Sequence, residues 1–124
     1  MQNMCGLDVA LAVVGGKWKP LVLFHLGAGP RRFGELKRLV SGISEKVLIQ
    51  HLRELTEDGI LIRHDYHEVP PRVDYAMTAF GQTLAAALMP LCHWGNDNRS
   101  AVTFRKLPAG QPVPPSLAVS TDGH

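Results

Sequence analysis

A mainly helical α+β fold is predicted for this chain: two helices joined by a tight turn, a β-hairpin directly after them, two further helices before them and one after the hairpin. Three observations predict it. The stretch "SGISEKVLIQHLRELTEDG", residues 41–59, has a capping residue at Ser44, a stop at Gly59 and a stripe of Leu48, Leu52 and Leu55 at helical spacing. A shorter helical run, Phe33 to Leu39, is separated from it only by "SGIS", where Gly42 is free to turn left-handed. "ILIRHDY" and "RVDYAMT" then read as strands on either side of "HEVPP".

Each element follows from local chemistry. Residues 7–14 cluster apolar side chains as a short helix does, and Gly15-Gly16 ends it. "KWKPLVLFHLGAG" restarts a helix with Pro20 in the first turn, where no backbone donor is missed. Its apolar residues fall on most sides, which predicts a central, buried helix. His25 within that run reads as a core or helix-surface histidine, not a ligand. In the third helix Phe33, Leu36 and Val40 share one face, and Lys37 and Arg38 lie off it. In the second strand Val73, Tyr75 and Met77 alternate with Asp74 and Ala76. Pro70 and Pro71 exclude regular strand at the hairpin tip. Thr78 caps a last helix with the stripe Phe80, Leu84, Leu88 and Leu91, which Pro90 is expected to kink. From Ser100 onward the chain has four prolines and no sustained period. Residues 1–99 therefore read as one domain and 100–124 as a flexible tail.

Composition sets the class. The 124 residues are 45% hydrophobic and 19% charged, as in an ordinary globular domain. No apolar run has the roughly 18 residues of a membrane span. The start shows no basic leader, and two cysteines make no disulfide framework, so a cytoplasmic setting is expected. A net charge of +2 does not by itself imply nucleic acid, but its distribution is uneven. Between Arg31 and Arg53 the basic residues Arg31, Arg32, Lys37, Arg38, Lys46 and Arg53 outnumber Glu35 and Glu45. That segment coincides with the two helices of the turn motif, as either a phosphate-facing or a solvated surface.

If the leucines of residues 44–58 face inward, Lys46, Gln50, Arg53 and Glu57 lie opposite at about 100° per residue, with Ile49 on the flank. Long donors match the acceptors on guanine and adenine edges, and Ile49 matches a thymine methyl. A solvated face with the same donors is the competing reading.

The segments "GGKWKPLVLFHL", "RRFGELKRLVSGISEKVLIQHLRELTEDGILIR", "VPPRVDYAMTAFG" and "LCHWG" closely resemble the HxlR-type winged helix-turn-helix regulators, bacterial transcription factors related to the MarR type. The resemblance spans about residues 5–95. It implies a homodimer that binds double-stranded operator DNA through two recognition helices. With that geometry Lys46, Ile49, Gln50 and Arg53 are the candidates for base contact, and Arg31, Arg32, Lys37 and Arg38 for phosphate contact. Arg72, beside the prolines, is the residue expected to reach the minor groove from the hairpin, with Arg63 a weaker candidate. Ser44 has two roles, as an N-cap and as a hydroxyl near phosphate. In some members a cysteine before the first helix senses oxidants or electrophiles, and Cys5 holds that place. A helix N-terminus favours a thiolate, whereas Asp8 opposes it. Cys92 reads as a small residue of an apolar helix. Leu7, Leu11, Leu84, Leu88, Leu91 and Trp94 are the expected dimer contacts.

Other classes find less support. The sequence shows no zinc-protease, P-loop or dinucleotide motif, so neither an enzyme nor a cofactor is expected. His64 and His67, and Cys92 and His93, are not spaced to converge on a metal. A winged helix that binds protein, or one controlled by a small-molecule ligand, stays open as an alternative.

Overall fold

The computed structural model describes residues 5–102. The elements run α1 (Gly6–Val14), α2 (Trp18–Leu26), β1 (Arg31–Arg32), α3 (Phe33–Leu39), α4 (Glu45–Glu57), β2 (Leu61–Asp65), β3 (Val73–Met77) and α5 (Ala79–Asp97), then a 3-10 turn at Arg99–Ala101. The expected tail begins inside that turn, and residues 103–124 lie outside the described residues.

The core is built where the sequence pattern put it. Val22, Leu23 and Leu26 of α2 meet Leu36 and Val40 of the α3 region, Ile43 of the turn, and Leu48, Leu52 and Leu55 of α4. Each fully buried leucine of this kind stabilises the fold by about 1.5–3 kcal/mol relative to exposure. Ile60 and Leu61 carry the same core onto the hairpin. The turn between α3 and α4 holds Gly42 at φ 95, a conformation glycine adopts without a Cβ clash. Ser44 then caps α4, its Oγ accepting from the Val47 N–H at 3.1 Å.

Two features differ from the sequence reading. Arg31 and Arg32 form a short strand, which two residues cannot announce by periodicity. The sheet order is β1-β3-β2, with Arg31 opposite Tyr75 and Arg32 opposite Asp74. β3 is thus a central strand rather than one arm of a free hairpin. Tyr75 and Met77 pack on the core, and Asp74, on the other side of the alternation, is buried as well. Its carboxylate accepts the Tyr66 hydroxyl at 3.0 Å, which compensates its removal from water.

α5 is continuous through Pro90, so the proline costs a backbone hydrogen bond without ending the helix. Its first turn is fastened to the end of α4. Thr78 Oγ1 accepts from the Gly81 N–H at 2.9 Å and donates to the Gly59 carbonyl at 2.6 Å. Leu84 and Leu88 rest on the core, while Phe80, Leu91 and Trp94 are exposed. Among the described residues no single helix is long and apolar enough to cross a membrane.

Candidate nucleic-acid interface

The outer face of α4 is open. Lys46, Ile49, Gln50, Arg53 and Glu57 are exposed, whereas Leu48, Leu52 and Leu55 on the opposite side are at most 1% exposed. One amphipathic helix therefore separates core from surface cleanly, and the surface half carries the long donors.

These donors are braced. The Gln50 amide N–H donates to Glu54 Oε2 at 2.9 Å, and Arg53 Nη1 donates to Gln50 Oε1 at 3.5 Å. The other Glu54 oxygen meets Lys19 Nζ of α2 at 2.7 Å. The Gln50 hydrogen bond first, and then Lys19, hold the Glu54 carboxyl at a pKa of about 2. His51 points to the same carboxylate at 3.8 Å, but burial and Lys19 push its imidazole below the ordinary value. Neither Lys19 nor Glu54 was singled out in the sequence. The available signal was a lysine within the apolar run "WKPLVL", because an ammonium in a core-facing helix calls for a carboxylate partner.

The remaining basic residues fall into different settings. Arg32 and Arg38 are exposed and Lys37 is half-buried, all near α3. Arg31 is turned inward: its Nε donates to the His25 carbonyl at 3.1 Å, and Nη1 lies 4.0 Å from Glu35. The β1 pairing holds its backbone, and the Nε hydrogen bond ties its side chain to the end of α2. Burial and the nearby Arg31 push the His25 imidazole below its ordinary value.

Arg63 on β2 is exposed and joins Ile49, Arg53 and Tyr75 around a cleft of about 270 Å³ between α4 and the sheet. The hairpin thus lies beside the outer half of α4. Arg72 is half-buried, with its guanidinium carbon 4.0 Å from the centre of the Tyr66 ring. His64 meets the same ring edge-on at 4.1 Å, and His67 donates its backbone N–H to Asp65. Tyr66 is therefore the pivot of the wing, bridging Arg72 and Asp74, a role that its place at a strand end did not signal.

A second, larger feature is built by other elements. A groove of about 900 Å³ runs between α2 and α5, lined by Leu21, Phe24, Met77, Leu88, Met89 and Trp94. Cys92 borders it as a half-buried free thiol. Leu7 and Leu11 on α1 are 66% and 54% exposed, and Leu91 and Trp94 on α5 are 65% and 59% exposed. Cys5, at the N-cap of α1, is an exposed free thiol whose Sγ lies 3.5 Å from Asp8 Oδ2.

With this geometry in view, comparison with known proteins is specific. The family model described as HxlR-like helix-turn-helix matches residues 13–103. An uncharacterized HTH-type transcriptional regulator of Bacillus subtilis, YkvN, is 50% identical over 91 residues, covering 73% of this chain and 77% of that protein. The structure of the redox regulator HypR in its reduced form superposes with a TM-score of 0.75 at 40% identity, covering 78% of this chain and 96% of that one. Diamide-treated YodB from B. subtilis superposes with a TM-score of 0.65 at 31% identity, covering 77% and 95%. The chain belongs to the HxlR-like helix-turn-helix family of DNA-binding transcriptional regulators.

Proposed function

We propose that the protein binds double-stranded operator DNA as a homodimer, with α4 of each protomer in the major groove and the β2–β3 wing against the flanking backbone. The observation that carries this reading is the α4 face, where Lys46, Ile49, Gln50 and Arg53 are presented together opposite a fully buried leucine stripe. In the complex Gln50 and Arg53 read base edges, and Ile49 meets a thymine methyl. Arg32, Lys37 and the Ser44 end of α4 hold phosphates, with Arg63 and Arg72 supplying the wing. Arg31 acts indirectly by fastening β1 to the end of α2.

The dimer covers the apolar surface of α1 and α5. Leu7 and Leu11 on α1 and Leu91 and Trp94 on α5 are large apolar side chains left exposed, and Leu91 and Trp94 also line the α2–α5 groove, an apolar surface that a second protomer would cover. Leu84 and Leu88, also expected at the seam, seat α5 on the protomer's own core. A cytoplasmic regulator of this kind needs no catalytic centre, metal or cofactor.

The inducing signal is an oxidant or electrophile taken up at Cys5. The support is its exposure at the start of α1, where an adduct alters the dimer seam, and the likeness to HypR and YodB, one named as a redox regulator and the other treated with diamide. Moving a two-state dimer from bound to released takes about 5.5 kcal/mol of differential binding, which calls for a rearranged seam and not a passive surface adduct.

Selection of duplexes from a random library by the wild-type dimer tests the central reading. It should return two half-sites about 10–10.5 base pairs apart, or a multiple of that. Gln50→Ala and Arg53→Ala should relax the preference at defined base pairs and cost about 1–3 kcal/mol there. Lys37→Ala should weaken every sequence alike and flatten the salt dependence. Uniform weakening from all three variants would remove α4 from the groove.

A further inference from the structure

The outer face of α4 is governed from inside the protein. Lys19 lies on α2, and its side chain is only 9% exposed. A buried ammonium is seldom the most stabilising choice, because an apolar side chain of similar volume avoids the desolvation cost. Its partner explains where its influence ends. Glu54 stands on α4 with its side chain 38% exposed, one oxygen on Lys19 Nζ at 2.7 Å and the other on the Gln50 amide nitrogen at 2.9 Å. The Gln50 oxygen in turn faces Arg53 Nη1 at 3.5 Å.

This order of contacts fixes a polarity. A glutamine amide carries two N–H donors on one end and an acceptor oxygen on the other, and a flip exchanges them. A carboxylate accepts only, so Glu54 demands the nitrogen end of Gln50. Arg53 donates only, so it demands the oxygen end. Both demands agree, and Lys19 keeps Glu54 where it can make its own. One N–H and one lone pair of Gln50 are then left for an incoming base, which is the donor–acceptor pair that adenine N7 and N6 require. The strongly lowered Glu54 pKa of about 2 keeps the acceptor ionised throughout the neutral range.

We propose that Lys19 and Glu54 are positioning residues for base readout, a relay from the core that sets the donor–acceptor polarity of Gln50 without touching DNA. The proposal rests on the reading of α4 as the recognition helix, and its test separates the two. The probes are duplexes selected from a random library by the wild-type protein, with every base pair of the half-site then varied in competition binding. Gln50→Ala locates the base pair that Gln50 reads. Lys19→Met, close in length and apolar, should lose discrimination at that same base pair by about tenfold, within the range of one bidentate contact. Glu54→Gln should also relax or shift preference there. Its side-chain oxygen turns to Lys19 and its amide N–H to Gln50, which reverses the polarity demanded.

In both variants the salt dependence should stay at the wild-type slope, since neither residue neutralises a phosphate. In a Gln50→Ala background Lys19→Met should change base preference no further, whereas a merely structural role would add its effect. Glu54→Gln, on the exposed side of the pair, keeps the test available if Lys19→Met folds poorly. If Gln50→Ala relaxes the preference while Lys19→Met and Glu54→Gln retain it, the relay is wrong and the recognition helix stands. If Gln50→Ala itself changes nothing, the recognition-helix reading fails and the relay falls with it.

Discussion

Gly81→Ala is the substitution whose consequence can be worked most closely from the structure. Gly81 is buried in the first turn of α5 and lies directly over the backbone of Ile60, where the chain leaves α4 for β2. A Cβ at position 81 would fall well inside contact with the Ile60 carbonyl oxygen, 3.0 Å from its carbon and 3.2 Å from Cγ2. Ile60 is itself 2% exposed, and its carbonyl accepts the Thr78 N–H at 3.0 Å, so the obstruction is core backbone and not a flexible side chain. Overpacking of this kind costs about 1–3 kcal/mol. Lifting α5 to relieve it strains the Thr78 hydrogen bond, worth about another 1 kcal/mol. Alanine returns about 1 kcal/mol of helix propensity over glycine. The sum is a net destabilisation of about 1–3 kcal/mol. For a domain of this size that is a fall of roughly 5–20 °C in the melting midpoint. Thermal melts of both proteins at one fixed concentration measure it, because dimerisation makes the midpoint concentration-dependent. A midpoint equal to or above wild type would show that the close approach of α5 to Ile60 does not constrain the fold.

Three further outcomes are expected. Light scattering should give twice the 13.6 kDa chain mass, and Leu91→Asp, at an exposed position of α5, should give monomer; a wild-type monomer would remove the α5 seam. Cys5 should alkylate faster than the half-buried Cys92 at neutral pH, and diamide should release DNA from wild type but not from Cys5→Ser; equal release from both would take Cys5 out of the mechanism. Glu54 titrates low in the folded state, so its stabilisation is complete above the ordinary carboxylate range and is lost as pH falls toward about 2. The stability difference between wild type and Glu54→Gln should therefore shrink from pH 6 to pH 2, and a constant difference would contradict the bracing of Glu54.

The parts of the fold that were legible in the sequence are those written in a repeating pattern. The leucines of α4 recur at helical spacing and all three are buried, and Ser44 and Thr78 cap the helices they precede. β1 was not legible, because two residues carry no period and Arg31–Arg32 gain strand character only from their pairing with β3. The burial of Asp74 follows from the same pairing and from Tyr66. The Lys19–Glu54 contact joins two helices across 35 positions of sequence, and no local spacing encodes it. Arg31 shows the limit of charge counting. It sits in the basic segment, yet its Nε is bonded to the His25 carbonyl at the end of α2 and its Nη1 lies 4.0 Å from Glu35, contacts that a count of charges does not reveal.

Entry of α4 into the major groove is tested most directly by proximity. A photo-reactive diazirine side chain replacing Ile49, 43% exposed on α4, should cross-link to bases of a selected duplex in each half-site. The same group replacing Met89, 46% exposed on α5, should give no DNA adduct and should instead link the two protomers. Adducts from position 89 with none from position 49 would place the DNA on α5 instead of α4 and contradict entry of α4 into the groove.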